Sequence, residues 1–236
     1  MPQPYIDKLN EYGDKISGNV IKSKKLDYSD NLVGNVKQEH IIEDHIWQEK
    51  ISDDIPSYFQ WVGGCVNIYI QTVLKRNRYG EVNKASEVEK KIMEEGIKSL
   101  NILSSWLVNS VAGDFNPIHQ HEGRISVAGW LMMPESIQKD KEKEYAGWIE
   151  FMYGENLNLL NNKHAVKPEV GQIFMFPSWL QHTVYLTLSH SNLTLISLTV
   201  LGSRRAILSN SILHFISFVS KFIFPFPFDI EYNPLF

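Results

Sequence analysis

Residues 171–182 read GQIFMFPSWLQH: a glycine, four apolar residues, a proline, and a histidine five positions beyond it. A short apolar run after glycine and before proline predicts a buried strand, because glycine supplies the turn and proline cannot continue the hydrogen-bond ladder. A histidine placed just after such a strand can reach across a small barrel to a partner on the opposite wall. About 60 residues upstream stands such a partner, His119-Gln120-His121. On an extended strand, residues i and i+2 project to one side, so both imidazoles share one space while Gln120 and Glu122 face the other. Neutral imidazole suits iron, zinc, nickel and copper, and the pair with His182 predicts a three-histidine metal site.

The flanking sequence has the texture of an all-β core. Apolar runs at 102–110, 125–133, 147–153, 171–176, 183–188 and 193–201 alternate with turn residues such as Gly113-Asp114 and Asn161-Asn162. Several short strands with that punctuation predict an antiparallel sandwich or barrel. Helical spacing precedes it. Trp47, Ile51, Ile55, Tyr58, Phe59 and Val62 predict a short helix, a break near Asp53-Asp54, and a second helix with Pro56 in its first turn. Residues 65–74 are compatible with helix or strand. Ser86-x-x-Glu89 reads as a capping box opening a helix over 86–100. Residues 1–40 are polar and give no assignable element. In the tail, Leu208, Ile212, Phe215, Val219 and Phe222 form one helical stripe that Pro225 ends.

The run from Trp106-x-x-Asn109 through Gly113-Asp-Phe-Asn116-Pro-x-His119-x-His121 and Ile125-Ser126 to Phe176-Pro-Ser-Trp-Leu-x-His182 resembles the 2-oxoglutarate and Fe(II)-dependent oxygenases of phage and marine bacterial type. The similarity extends from about residue 30 to 200. It implies an α+β chain built on a double-stranded β-helix (jelly roll), with N-terminal supporting helices over 1–100 and a catalytic core over 101–202; the helical spacing, outside the resemblance, adds an amphipathic C-terminal helix and tail over 203–236. It implies Fe(II) held by His119, His121 and His182, 2-oxoglutarate and O2 as cosubstrates, and hydroxylation of a small molecule or side chain. Asn109, Asn116, Ser126 and Ser197 are the candidate cosubstrate contacts. Two departures stand out. His121 occupies the position of the usual carboxylate of the facial triad, with Glu122 and Glu150 as the substitutes to consider. And residues 183–203 hold no Arg or Lys for the distal carboxylate of the cosubstrate, leaving His190, Arg124 or Lys167 as stand-ins. The rival readings are a cupin-like metalloenzyme that does not use 2-oxoglutarate and a degenerate binding barrel without metal.

Composition bounds the rest. The chain has 236 residues, 23 Lys+Arg against 27 Asp+Glu, and a net charge of -4 with no basic block, which argues against a nucleic-acid partner held by phosphate charge. A lone cysteine, Cys65, excludes a disulfide framework and fits a cytoplasmic location; it reads as a small buried apolar residue. The first residues lack a secretory pattern. The stripe over 206–224 suggests packing on the barrel, a homodimer, or contact with a membrane surface. Trp130, Trp148 and Trp179 read as core aromatics. His40, His45 and His164 read as solvated, and 139–144 as a charged loop.

Overall fold

The computed structural model describes residues 1–31, 33–36, 38–74, 101–138, 145–154, 161–185 and 193–201, the last as backbone. The helix expected over 86–100, the charged loop 139–144, His190, and the tail stripe over 206–224 lie outside the described residues.

Among the described residues, five α-helices and nine strands make a mixed architecture of helices and antiparallel sheets. In chain order these are α1 (Gln3–Ser17), α2 (Val20–Leu26), β1 (Glu39–Ile41), α3 (Asp44–Gln48), α4 (Tyr58–Leu74), β2 (Asn101–Ser110), β3 (Asn116–His119), β4 (Ile125–Met132), α5 (Glu135–Gln138), β5 (Ile149–Met152), β6 (Lys163–Val166), β7 (Ile173–Pro177), β8 (Gln181–Val184) and β9 (Leu193–Leu201). One sheet has five strands in the order β1-β2-β9-β4-β7; the other has four, β3-β8-β5-β6. All pairings are antiparallel. No helix among the described residues is long and apolar enough to cross a membrane.

The five-stranded sheet is buried on both faces. On β2, Leu107 points to the helices while Trp106 and Val108 point to the other sheet; on β4, Val127 and Leu131 take the helix side and Trp130 the inner side. Helix α1 lays Tyr5, Ile6, Leu9, Tyr12 and Ile16 onto this sheet. Gly13 lets it come close, since a Cβ there would lie 3.3 Å from Leu107 Cδ1. The polar appearance of residues 1–40 therefore conceals two helices, because α1 needs only one narrow apolar stripe.

The region around Pro56 differs from expectation. Helix α3 ends at Gln48, and α4 begins at Tyr58, so Pro56 lies before the helix rather than inside its first turn. The start is set by a capping box at Ser57-x-x-Gln60: Gln60 N donates to Ser57 Oγ (3.3 Å) and Ser57 N donates to Gln60 Oε1 (3.1 Å). Residues 65–74 continue that helix. Two strands had no counterpart in the sequence reading, β1 and β6, of three and four residues, and the strand expected through His121 ends at His119.

Candidate metal centre

Strand β3 ends at His119, which faces His182 on the neighbouring β8 in register. His182 thus lies on a strand, not just after one. His121 lies beyond the end of β3, so the simple i, i+2 strand alternation does not place it. A backbone hydrogen bond does: His121 N donates to Ser178 O at 2.9 Å. Ser178 is itself fixed, its N–H donating to Arg124 O at 3.1 Å and its side-chain oxygen accepting from Ser126 Oγ at 3.0 Å. The Pro177-Ser178-Trp179-Leu180 segment thereby holds one histidine by its backbone and delivers the third two residues later.

The three imidazoles converge. Ring centroids are 4.3 Å apart for His119–His182, 4.8 Å for His119–His121 and 5.0 Å for His121–His182. Their ligand atoms all lie within 4.8 Å of one another. A cation bonded to imidazole at about 2.0–2.1 Å would draw them closer than that bound.

Tautomers are set for metal binding. His119 Nδ1 is 2.7 Å from Pro117 O and His182 Nδ1 is 3.0 Å from Leu180 O. A carbonyl only accepts, so Nδ1 carries the proton in each ring and the Nε2 lone pair is left for a cation. Protonation is also set. Burial pulls all three below the ordinary histidine range; for His119 the Pro117 carbonyl opposes it. His121 falls to about 4 through burial and then the nearby His119. His182 lies well below the usual value, again through burial first and then its two neighbours. Three neutral imidazoles are ready to ligate without first losing protons.

The surroundings are apolar. Phe176 stands edge-on to His182 with ring centroids 4.8 Å apart, Phe151 is 6.2 Å from it, and Trp106 presents an edge to His121 at 5.5 Å. Trp106 as a wall of the centre was not foreseen as such, although it opens the motif quoted above.

The other expected residues divide. Among the described residues neither Glu122 nor Glu150 joins the cluster. Glu122 is exposed, and Glu150 faces outward, 3.6 Å from Lys163. Ser126 is fully buried but occupied by its bond to Ser178. Asn116 begins β3; its carbonyl accepts from Thr183 Oγ1 at 2.6 Å, and its buried Oδ1 has no hydrogen-bond partner among the described residues. Asn109 is half-buried on β2, its backbone N–H donating to Gln38 O. Ser197 sits on β9 opposite Trp106 and Ala128 in register.

Readings of five residues need correction. His40 is not solvated: it is 3% exposed, with Nε2 2.8 Å from Ser23 Oγ. His164 is half-buried, and burial lowers its pKa to about 4. Trp130 is a core residue, but Trp179 is 40% exposed, because the turn between β7 and β8 points it outward. Trp148 and Cys65 are half-buried, so neither is a full core residue.

With this geometry in hand, residues 104–198 match the family model described as "Putative 2OG-Fe(II) oxygenase". Over those residues the chain is similar to the 2-oxoglutarate/Fe(II) oxygenases. Similar solved structures include a prolyl-4-hydroxylase from Pseudomonas putida, at 12% identity and TM-score 0.48 over 87% of this chain and 89% of that one. A prolyl hydroxylase from Trichoplax adhaerens in complex with a hypoxia inducible factor peptide fragment follows at 13% and 0.42, over 72% and 66%. A 2OG-Fe(II) oxygenase family oxidoreductase from Burkholderia pseudomallei matches at 11% and 0.34 over 43% of this chain, which spans 44% of that protein's length. At these identities and scores none of them bears on what this chain acts on. Among curated proteins none matches the sequence.

Proposed function

We propose that the chain is a non-haem hydroxylase that uses Fe(II), 2-oxoglutarate and O2, with His119, His121 and His182 as the protein ligands. On this reading the two facing sheets form a double-stranded β-helix, residues 101–202 are the catalytic core, and residues 1–100 support it. The observation that carries the reading is the meeting of three neutral imidazoles, two with Nδ1 engaged by carbonyls, inside an apolar wall. When bound, Fe(II) with 2-oxoglutarate supplies the oxidising chemistry that puts one oxygen atom of O2 into a substrate C–H bond and the other into succinate, with release of CO2. The chain's own work is positional. Pro117 O and Leu180 O fix two ring orientations, the Ser178 backbone fixes the approach of His121, and Phe151, Phe176 and Trp106 keep water from the ligand nitrogens. Anaerobic addition of 2-oxoglutarate to the Fe(II)-loaded protein is expected to produce a visible charge-transfer band. Under O2, succinate is expected to form. Absence of both with tight metal binding would overturn the proposal.

A second reading rests on one observation. All three clustered donors are neutral, and no carboxylate joins them among the described residues. A metalloenzyme of cupin type that works without a 2-oxo acid fits that donor set, and it predicts metal binding with no 2-oxoglutarate band.

A further inference from the structure

A row of residues crosses the four-stranded sheet at the level of the metal centre. His119 on β3 pairs with His182 on β8, His182 with Phe151 on β5, and Phe151 with His164 on β6. Directly paired residues of antiparallel strands project to the same face. Phe151 is fully buried in the core between the sheets, so this face is the inner one. The alternation along β6 agrees: Val166, two residues after His164, packs into that core, while the intervening side of the sheet carries the Glu150–Lys163 pair. A fourth imidazole thus stands on the same inner face of the sheet as His119 and His182. It stands two strand spacings, about 9.5 Å of sheet, from His182, with Phe151 between them.

2-Oxoglutarate is a dicarboxylate. Its 2-oxo group and adjacent carboxylate chelate a metal, and its far carboxylate then lies inside an apolar chamber, where an unpaired charge is costly. No inward-facing strand position among the described residues carries Lys or Arg, and residues 183–203 contain none. From this arrangement we infer that His164 is the anchor of the distal carboxylate of 2-oxoglutarate, donating a ring N–H to it across the inner face of Phe151. Phe151 acts as the spacer that sets the length of the acid the chamber accepts. The inference rests on the 2-oxoglutarate reading and deepens it. The same carboxylate chemistry belongs equally to an acidic group on the oxidised substrate, and the experiment separates the two sources.

The test compares 2-oxoglutarate with 2-oxopentanoate, the same carbon chain ending in methyl, as titrants of the anaerobic Fe(II)-loaded protein. The native chain is expected to bind 2-oxoglutarate on the order of 10–100-fold more tightly, the worth of one hydrogen bond to a charged group. In His164→Leu the two acids should bind alike, with Fe(II) affinity and melting temperature near those of the parent. His164→Arg should restore the preference. If His164→Leu retains the full preference for 2-oxoglutarate, the anchor lies elsewhere and the inference is overturned; a source in the oxidised substrate would give that same result. If the native Fe(II) protein forms a complex with neither acid, the 2-oxoglutarate reading fails, and the inference fails with it.

Discussion

The two sheets differ in kind. The five-stranded sheet is a slab with apolar residues on both faces, so that Trp106, Leu107 and Val108 are buried in succession along β2. The four-stranded sheet is one-sided. Its inner face holds His119, His182, Phe151, Ile149 and His164, while Glu150, itself buried, and the exposed Lys163 lie on its outer side. Sheets covered on both faces read as near-continuous apolar runs and carry stability; sheets with one wet face alternate and have room for chemistry. In this molecule, strength and chemistry are therefore divided between the sheets.

The division can be broken from either side. Leu107→Ala removes a fully buried side chain between α1 and β2, and should cost about 2–5 kcal/mol in denaturant unfolding. The folded fraction should keep its Fe(II) affinity, and loss of metal at equal foldedness would blur the distinction. His182→Ala acts on the other sheet. It should weaken Fe(II) binding by at least about 100-fold, more than outer-shell changes usually cost, and abolish turnover, while the melting temperature of the metal-free protein moves by only a few degrees. Metal competition and calorimetry would measure the two quantities separately.

Glu39 sharpens the comparison, because it is a buried carboxyl at the edge of the scaffold sheet. It is 3% exposed on β1, and its pKa is pushed up to about 8, first by burial and then by the charges of Asp27 and Asp114. The unfolded chain loses this proton near the ordinary glutamate value of 4.5, whereas the folded chain keeps it until about 8. Between those values the folded state binds more protons, so the group's contribution to stability falls as pH rises through that window. Glu39→Gln should match the parent near pH 4 and become the more stable of the two by on the order of 4 kcal/mol at pH 8. Parallel pH profiles for the two proteins would show that Glu39 ionises normally in the fold.

Legibility followed the same division. Three strands of the slab, β2, β4 and β9, are long apolar runs and lie within a residue or so of the expected ranges, whereas its three-residue edge strand β1 was not read. The three histidines that cluster were also readable, because His-x-His and a proline-turn histidine are chemically unusual. The short strand β6 and the bounds of β3 were not. NPIH and KHAV have too few apolar residues to show a period of two, and their pairing with β8 and β5 is decided by tertiary contacts. Missing β6 concealed which way His164 faces, so it read as a solvated histidine. Helix α1 was missed for a different reason: three of its six buried positions are tyrosine or glycine, which a count of aliphatic residues passes over.

The central claim is that three imidazoles from β3, the turn after it, and β8 meet at one cation. X-ray absorption on the Fe(II)-loaded protein tests it most directly. The account predicts the multiple-scattering signature of three imidazoles with Fe–N distances of about 2.0–2.2 Å, falling to two imidazoles in His121→Ala. A spectrum with two or fewer imidazoles in the native protein, or one unchanged by His121→Ala, would contradict it.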